Sequence, residues 1–186
     1  MPNDQLESQS GDAHLAQSDR RLAGKTAFIT GAARRVGAAI ARTLHAAGAN
    51  TVLHYRSSSE DAAQLARELN AVRPGSAAVV SGDLLEIDKL PALATAASQA
   101  FGRLDILVNN ASSFYPTPVG DISEIDWDDL IGTNLKAPLF LSQAAAPALH
   151  ANQGLVLNLA DIHGIRPLRR HPVYSIAKAG LIMLTK

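Results

Sequence analysis

The chain has 186 residues, 47% apolar and 18% charged, enough to bury the core of one ordinary domain and unlike a disordered chain. Its formal net charge is zero, so no overall field draws it to nucleic acid or an anionic membrane, and neither is expected as a partner. It has no cysteine, which excludes disulfides and thiolate chemistry, and no apolar run near the roughly 20 residues that span a bilayer.

The first 21 residues, "MPNDQLESQSGDAHLAQSDRR", are polar and mixed in charge. They lack the apolar stretch of a secretory signal, and Asp4, Glu7 and Asp12 are out of place in a mitochondrial presequence. Residues 1–21 are expected to be a disordered tail, residues 22–186 one domain, and the location cytoplasmic.

From Lys25 onward, short β-rich runs alternate with longer alanine-rich helical stretches. "KTAFIT" (25–30) predicts the first strand. A glycine-bearing turn follows, then "VGAAIARTLHAAGA" with helical periodicity. "NTVLHY" (50–55) predicts the second strand, and "SSEDAAQLARELNAV" a helix opened by serines and acids. "SAAVVSGDL" reads as strand three, residues 86–101 as a helix, and "LDILVNNAS" as strand four. A long helix is expected from about Ser123 to His150, interrupted or bent near Pro138. "GLVLNLA" reads as a buried fifth strand and "PVYSIAKAGLIMLTK" as a helix. Five apolar strands separated by helices predict an α/β fold, a Rossmann-type doubly wound parallel sheet covered on both faces.

The strand ends carry the chemistry. In "ITGAARRVGAAIA", Gly31 permits a tight turn and Gly37 close helix packing, while the helix N-terminus offers N–H groups to a phosphate. The turn is either purely structural or phosphate-binding; Arg34 and Arg35 favour an anionic ligand. After strand two, an NAD-binding sheet would have an acid for the ribose 2′-hydroxyl. This chain has "LHYRSSS" instead, and Arg56 with Ser57 and Ser58 favours a 2′-phosphate, hence NADPH. Asp83 in "SGDL" either caps a helix or meets an adenine amino group. Asn109, Asn110 and Ala111 either close a turn or put small polar groups into the cofactor crevice. In "YSIAK", the i, i+4 spacing sets Tyr174 and Lys178 on one helix face. A neighbouring ammonium favours an ionised phenol, so Tyr174 can donate a proton while Lys178 stabilises the charge left behind. Asp161 ends strand five, either as a loop carboxylate or as a group that holds or passes a proton, with burial shifting its acidity. His163 and His171 lie on a loop without clustered carboxylates, so no metal site is expected.

Together these residues resemble the short-chain dehydrogenase/reductase family, from about Leu22 to Lys186, through "TGAARRVG", "GDL", "NNAS", Asn134 in "GTNLKAP", and "YSIAK". The resemblance implies nicotinamide hydride transfer, with Asn134, Tyr174 and Lys178 matching the family's proton relay. It also carries Tyr55, Leu84 and Ser112 into the cofactor site. Two departures stand out: aspartate at 161, thirteen residues before the tyrosine, where the family usually has serine, and arginine at 35 where it usually has glycine. Both are similar to pteridine reductases, as is "NNASSFYPTP" (109–118). In that subgroup the residue matching Phe114 stacks on the pterin, and those matching Ser112 and Arg35 contact pterin or cofactor phosphates. The implied function is NADPH-dependent reduction of a pterin or dihydropterin through Tyr174, Lys178 and Asp161. The alternatives are a reductase of another carbonyl substrate, such as a 3-oxoacyl chain, or a noncatalytic NADPH-binding module. Family members continue past the tyrosine helix with two more strands, so the chain is expected to be C-terminally incomplete, with strand five left as a bare apolar edge. A homodimer or homotetramer is expected of the full-length form.

Overall fold

A computed structural model describes residues 20–186, so the tail expected over residues 1–21 lies almost wholly outside the described residues. The chain runs β1 (Thr26–Ile29), α1 (Arg35–Ala46), β2 (Asn50–Tyr55), α2 (Ser59–Val72) and β3 (Ala77–Ser81). A 3-10 turn (Ile87–Lys89) leads into α3 (Leu90–Gln99), followed by β4 (Ile106–Asn109) and α4 (Glu124–Ile131). A π-helical turn (Gly132–Lys136) joins α4 to α5 (Ala137–Ala151), and β5 (Leu155–Asn158), a 3-10 turn (Ile162–Gly164) and α6 (Pro172–Thr185) complete the chain.

The strands form one sheet in the order β3-β2-β1-β4-β5, and each pair is parallel. Phe28 pairs with Val52 on one side and Leu107 on the other, so β1 is central. Its alternating side chains feed two cores. Phe28 packs with Val52, Leu107, Leu93 and Leu141 beneath α3 and α5, while Ala27 and Ile29 pack with Leu53, Leu65, Val108 and Ala41 beneath α1 and α2. This is the doubly wound architecture expected. The chain leaves β1 toward β2 and later returns to its other side as β4, which opens a crevice at the carboxyl ends of β1 and β4.

Strand five is the bare edge expected: β5 is the outer strand of the sheet, and Leu155 and Leu157 are 53% and 46% exposed. The long helix is interrupted at Gly132–Lys136, just before Pro138. Pro138 sits in the first turn of α5, where its missing N–H costs nothing, and the irregularity precedes it as a π-turn. Helix α4 begins at a reciprocal cap: Asp126 N–H donates to Ser123 Oγ at 3.1 Å, and Ser123 N–H donates to Asp126 Oδ2 at 3.0 Å.

Candidate active site

The first wall of the crevice is the turn after β1. Gly31 holds φ +61°, and a Cβ there would lie 3.0 Å from Ala111 Cα. A Cβ on Gly37 would meet Gly31 O at 2.2 Å, so α1 approaches this closely only without a side chain. The first bond of α1 runs from Ala38 N–H to Arg34 O at 3.3 Å, which leaves the first-turn N–H groups without helical acceptors. Arg35 holds φ +49°, a left-handed conformation that suits glycine and costs a side-chain-bearing residue about 1–2 kcal/mol.

Arg34 and Arg56 both line the crevice, but differently. Asp61 of α2 holds the Arg34 guanidinium, with Nε 2.6 Å and Nη2 2.5 Å from Oδ2, whereas Arg56 and Ser57 are exposed beyond β2. Asp83 and Leu84 lie on the same wall, and Asp83 also accepts the Leu85 N–H at 3.0 Å, so a local turn and a place on the cavity coexist. Thr30 Oγ1 accepts the N–H groups of Asn110 (2.9 Å) and Ala111 (3.0 Å), and Asn110 Nδ2 donates to Thr30 O at 2.8 Å. Asn109 does not enter the crevice. Its side chain is buried and donates to Asn158 Oδ1 of β5 at 2.8 Å, because successive residues of a strand face opposite ways.

The other wall carries the titratable groups. Tyr174 Oη donates to Asp161 Oδ2 at 2.7 Å, and His163 N–H donates to Asp161 Oδ1 at 3.0 Å. Ser112 Oγ donates to Asn134 Oδ1 at 2.6 Å. The widened π-turn lets Asn134 Nδ2 reach Leu130 O and Ser113 O, each at 2.9 Å. Asp161 with Tyr174 and Ser112 with Asn134 are therefore two hydrogen-bonded pairs on one wall. Lys178 Nζ donates to Leu159 O at 2.8 Å and lies 5.6 Å from the centre of the Tyr174 ring.

The electrostatics differ from the expectation for the tyrosine. Burial, followed by the hydrogen bond and charge of Asp161, pushes the Tyr174 phenol above its ordinary value rather than below it. Lys178 does not offset this, because its ammonium is turned to a carbonyl; burial, against the attraction of Asp161, lowers its own pKa. Burial also works against ionisation of Asp161, but the bonds from His163 N–H and Tyr174 and the charge of Lys178 outweigh it, leaving its carboxyl below the usual range. In this structure Asp161 is the ionised acceptor and Tyr174 the proton-bearing donor.

Between the two walls lies a cavity of about 700 Å³, lined from Arg56 past Gly31, Arg35, Asn110 and Ser112 to Tyr174 and Lys178. Of the residues singled out in the sequence, Gly31, Arg34, Arg35, Gly37, Arg56, Asp83, Leu84, Asn110, Ala111, Ser112, Tyr174 and Lys178 line it. Asp161 and Asn134 reach it through Tyr174 and Ser112, while Tyr55 and Ser57 are not on its wall. Phe114 stands at the mouth, 55% exposed, stacked on His171 (4.8 Å between ring centres, 9° between planes) and edge-on to Tyr174 (4.8 Å, 75°). His54, Ser113 and Thr133 line the cavity without having been singled out; only the fold brings them there. Among the described residues no group of His, Asp and Glu could hold a metal, and no helix is long and apolar enough to cross a membrane.

The donor set fits a nicotinamide dinucleotide. A turn that any Cβ at residue 37 would block opens onto unsatisfied helix amides, with an arginine-bearing end and a tyrosine-lysine end on one elongated cavity. Comparison with known proteins agrees. Residues 25–186 match the family model of the short chain dehydrogenases. A pteridine reductase 1 from Leishmania tarentolae is 37% identical over 198 residues, covering 86% of this chain and 68% of that protein. An uncharacterized oxidoreductase of Staphylococcus aureus strain USA300 is 33% identical over 166 residues, covering 89% of this chain and 70% of that one. Among solved structures, a "putative short-chain alcohol dehydrogenase" from Sinorhizobium meliloti 1021 superposes with a TM-score of 0.84 at 30% identity, over 90% of this chain and 66% of that one. The chain thus spans about two-thirds of the length of these relatives. With its match running from Lys25 to Lys186 and its crevice built for a dinucleotide, the chain belongs to the short chain dehydrogenase family of oxidoreductases.

Proposed function

We propose that the chain carries the cofactor and proton-relay machinery of an NADPH-dependent pteridine reductase. The observation that carries this reading is the Asp161–Tyr174 pair: a carboxylate 2.7 Å from the phenol, at a place where the family usually has a hydroxyl. Reducing a carbonyl or a ring C=N needs hydride on carbon and a proton on the heteroatom; a hydroxyl can orient the substrate, and a carboxyl group can also relay the proton. Burial and the adjacent carboxylate keep Tyr174 protonated, so a proton is in place at its Oη. Its transfer to the substrate nitrogen would leave two anions side by side unless a proton from solvent reaches Asp161 in the same event, so the pair titrates as a unit. Lys178 lies behind the phenol, 5.6 Å from its ring centre, and Asn134 holds the Ser112 hydroxyl beside it at 2.6 Å.

When bound, the cofactor supplies the hydride. Arg56 and the first turn of α1 are the groups placed to hold its phosphates, and a guanidinium beyond β2 in place of an acid favours the 2′-phosphate. Phe114 and His171 offer a flat aromatic platform beside Tyr174 for a planar heterocycle. The likeness to the Leishmania pteridine reductase points the same way. The test follows NADPH oxidation with a dihydropterin and with an acetoacetyl thioester, alongside binding of each to the NADP-saturated protein. Turnover or binding of the pterin is expected. Turnover of the thioester alone, or no affinity for the pterin, overturns the reading.

A further inference from the structure

His54 ties together two turns that flank the cofactor crevice. It stands on β2, 2% exposed, and lines the cavity. Its Nδ1 lies 3.2 Å from the Gly31 nitrogen and its Nε2 3.1 Å from Gly82 O. An amide N–H only donates and a carbonyl only accepts, so these partners fix the ring: Nδ1 accepts from Gly31, and Nε2 carries the proton to Gly82. A doubly protonated ring would set N–H against N–H at Gly31. Burial lowers the imidazole pKa to about 4, so the neutral form is the one present. Phe28 packs edge-on at 6.3 Å and 88° and keeps the ring in this plane. The backbone carbonyl of the same residue accepts the Ala32 N–H at 2.8 Å. Two successive amides of the turn, Gly31 and Ala32, therefore both end on His54, and the open amides begin in the first turn of α1.

A buried imidazole inside a strand is retained at a cost unless its bonds do something. The other buried imidazole, His45, bonds to Ser76 and lines no part of the cavity. We infer that His54 is a positioning residue for the dinucleotide: by holding Gly31 it sets the register in which phosphate meets the start of α1. The inference rests on the dinucleotide reading of the crevice and is independent of the pterin reading.

The test is NADPH affinity by calorimetry in the wild-type chain, His54→Asn and His54→Gln, with thermal midpoints measured alongside. Asparagine places its oxygen near the Nδ1 position and restores the bond to Gly31; glutamine reaches the Nε2 position and restores only the bond to Gly82. Expected is NADPH affinity within about threefold of wild type for His54→Asn and about tenfold weaker for His54→Gln. Equal affinities in the two variants overturn the inference, since a merely structural histidine would not distinguish them. Failure of the wild-type chain to bind NADPH would instead remove the dinucleotide reading beneath it. Should either variant not fold, the nitrogen-15 spectrum of the wild-type imidazole decides. The Nε2–H tautomer, coupled at Nδ1 to the Gly31 amide, is expected, and the Nδ1–H tautomer refutes the inference.

Discussion

Asp161→Asn removes one charge from the site and almost no volume. The asparagine oxygen can keep the His163 N–H, which leaves its amide nitrogen facing Tyr174 Oη at the place where Asp161 Oδ2 now accepts at 2.7 Å. The phenol would then accept instead of donate. Two unit negative charges 2.7 Å apart repel by about 1.5 kcal/mol even at the dielectric of water, and by more in a partly buried site. Removing that repulsion raises the ionisation constant of Tyr174 by at least about tenfold. Ultraviolet difference titration, with Tyr174→Phe subtracted to remove Tyr55 and Tyr115, reads this directly. A phenolate signal is expected in Asp161→Asn at a pH where wild type shows none. The same substitution should lower pterin reduction by about a hundredfold or more, because the relay loses the carboxylate through which the phenol's proton is replaced, while NADPH affinity stays within about twofold. Superimposable titrations, or unchanged pterin reduction, would show that Asp161 does not govern the phenol.

Tyr174→Phe keeps the edge contact with Phe114 but removes the proton donor, so turnover should fall by about 10²- to 10⁴-fold with NADPH binding retained; loss of binding in step would make Tyr174 a scaffold residue. Arg56→Ala should weaken NADPH by about tenfold or more and NADH far less, read as the ratio of their dissociation constants. Equal losses would show that Arg56 does not meet a 2′-phosphate. Asp105→Asn tests the opposite end of the sheet, where the carboxylate, with its side chain 3% exposed, takes Lys25, Arg103 and the Thr26 N–H. Burial opposes its ionisation, but those partners prevail and hold its pKa at about 2 against an ordinary 3.8, which is worth roughly 2 kcal/mol. A depressed carboxylate stabilises above its unfolded pKa and loses that contribution as pH falls through the folded one. The variant's deficit in urea unfolding should thus be present at neutral pH and shrink between about pH 4 and 2; a constant deficit refutes the assignment.

What the sequence disclosed depended on whether the signal was local. The strands were legible because a parallel sheet buried on both faces demands near-continuous apolar runs, and "NTVLHY" matches β2 residue for residue. The exposed edge at "GLVLNLA" was legible only through the family resemblance, because a run of leucines does not itself reveal whether a further layer covers it. The interruption near Pro138 was legible but its form at Gly132–Lys136 was not, since a π-turn has no compositional mark, although Asn134 depends on it for both of its donated bonds. The i, i+4 spacing placed Tyr174 and Lys178 together correctly but could not show Lys178 turned to Leu159 O, and so gave the wrong sign for the tyrosine's acidity. His54 looked like one more residue of an apolar strand. Its meaning comes from Gly31 and Gly82, 23 and 28 residues away.

The two departures from the family pattern, readable in the sequence as mere differences, acquire energies in the structure. Arg35 holds φ +49° where a glycine would be unstrained, and Asp161 sets a carboxylate against a phenol where a hydroxyl would be neutral. The strained backbone at Arg35 costs about 1–2 kcal/mol, whereas the partners of Asp161 favour its ionised form over the penalty of burial. Arg35 keeps its left-handed conformation on the cavity wall, while Asp161 is held by the His163 N–H and the Tyr174 hydroxyl. Both lie on one cavity, Arg35 on its wall and Asp161 one hydrogen bond behind it. A strained arginine and an ionised carboxylate on one cavity suit the ligand pair of the proposed function, with anionic groups for the arginine and a ring nitrogen to be protonated at the phenol that the carboxylate holds. In that proposal the dinucleotide phosphate meets the first and the pterin the second.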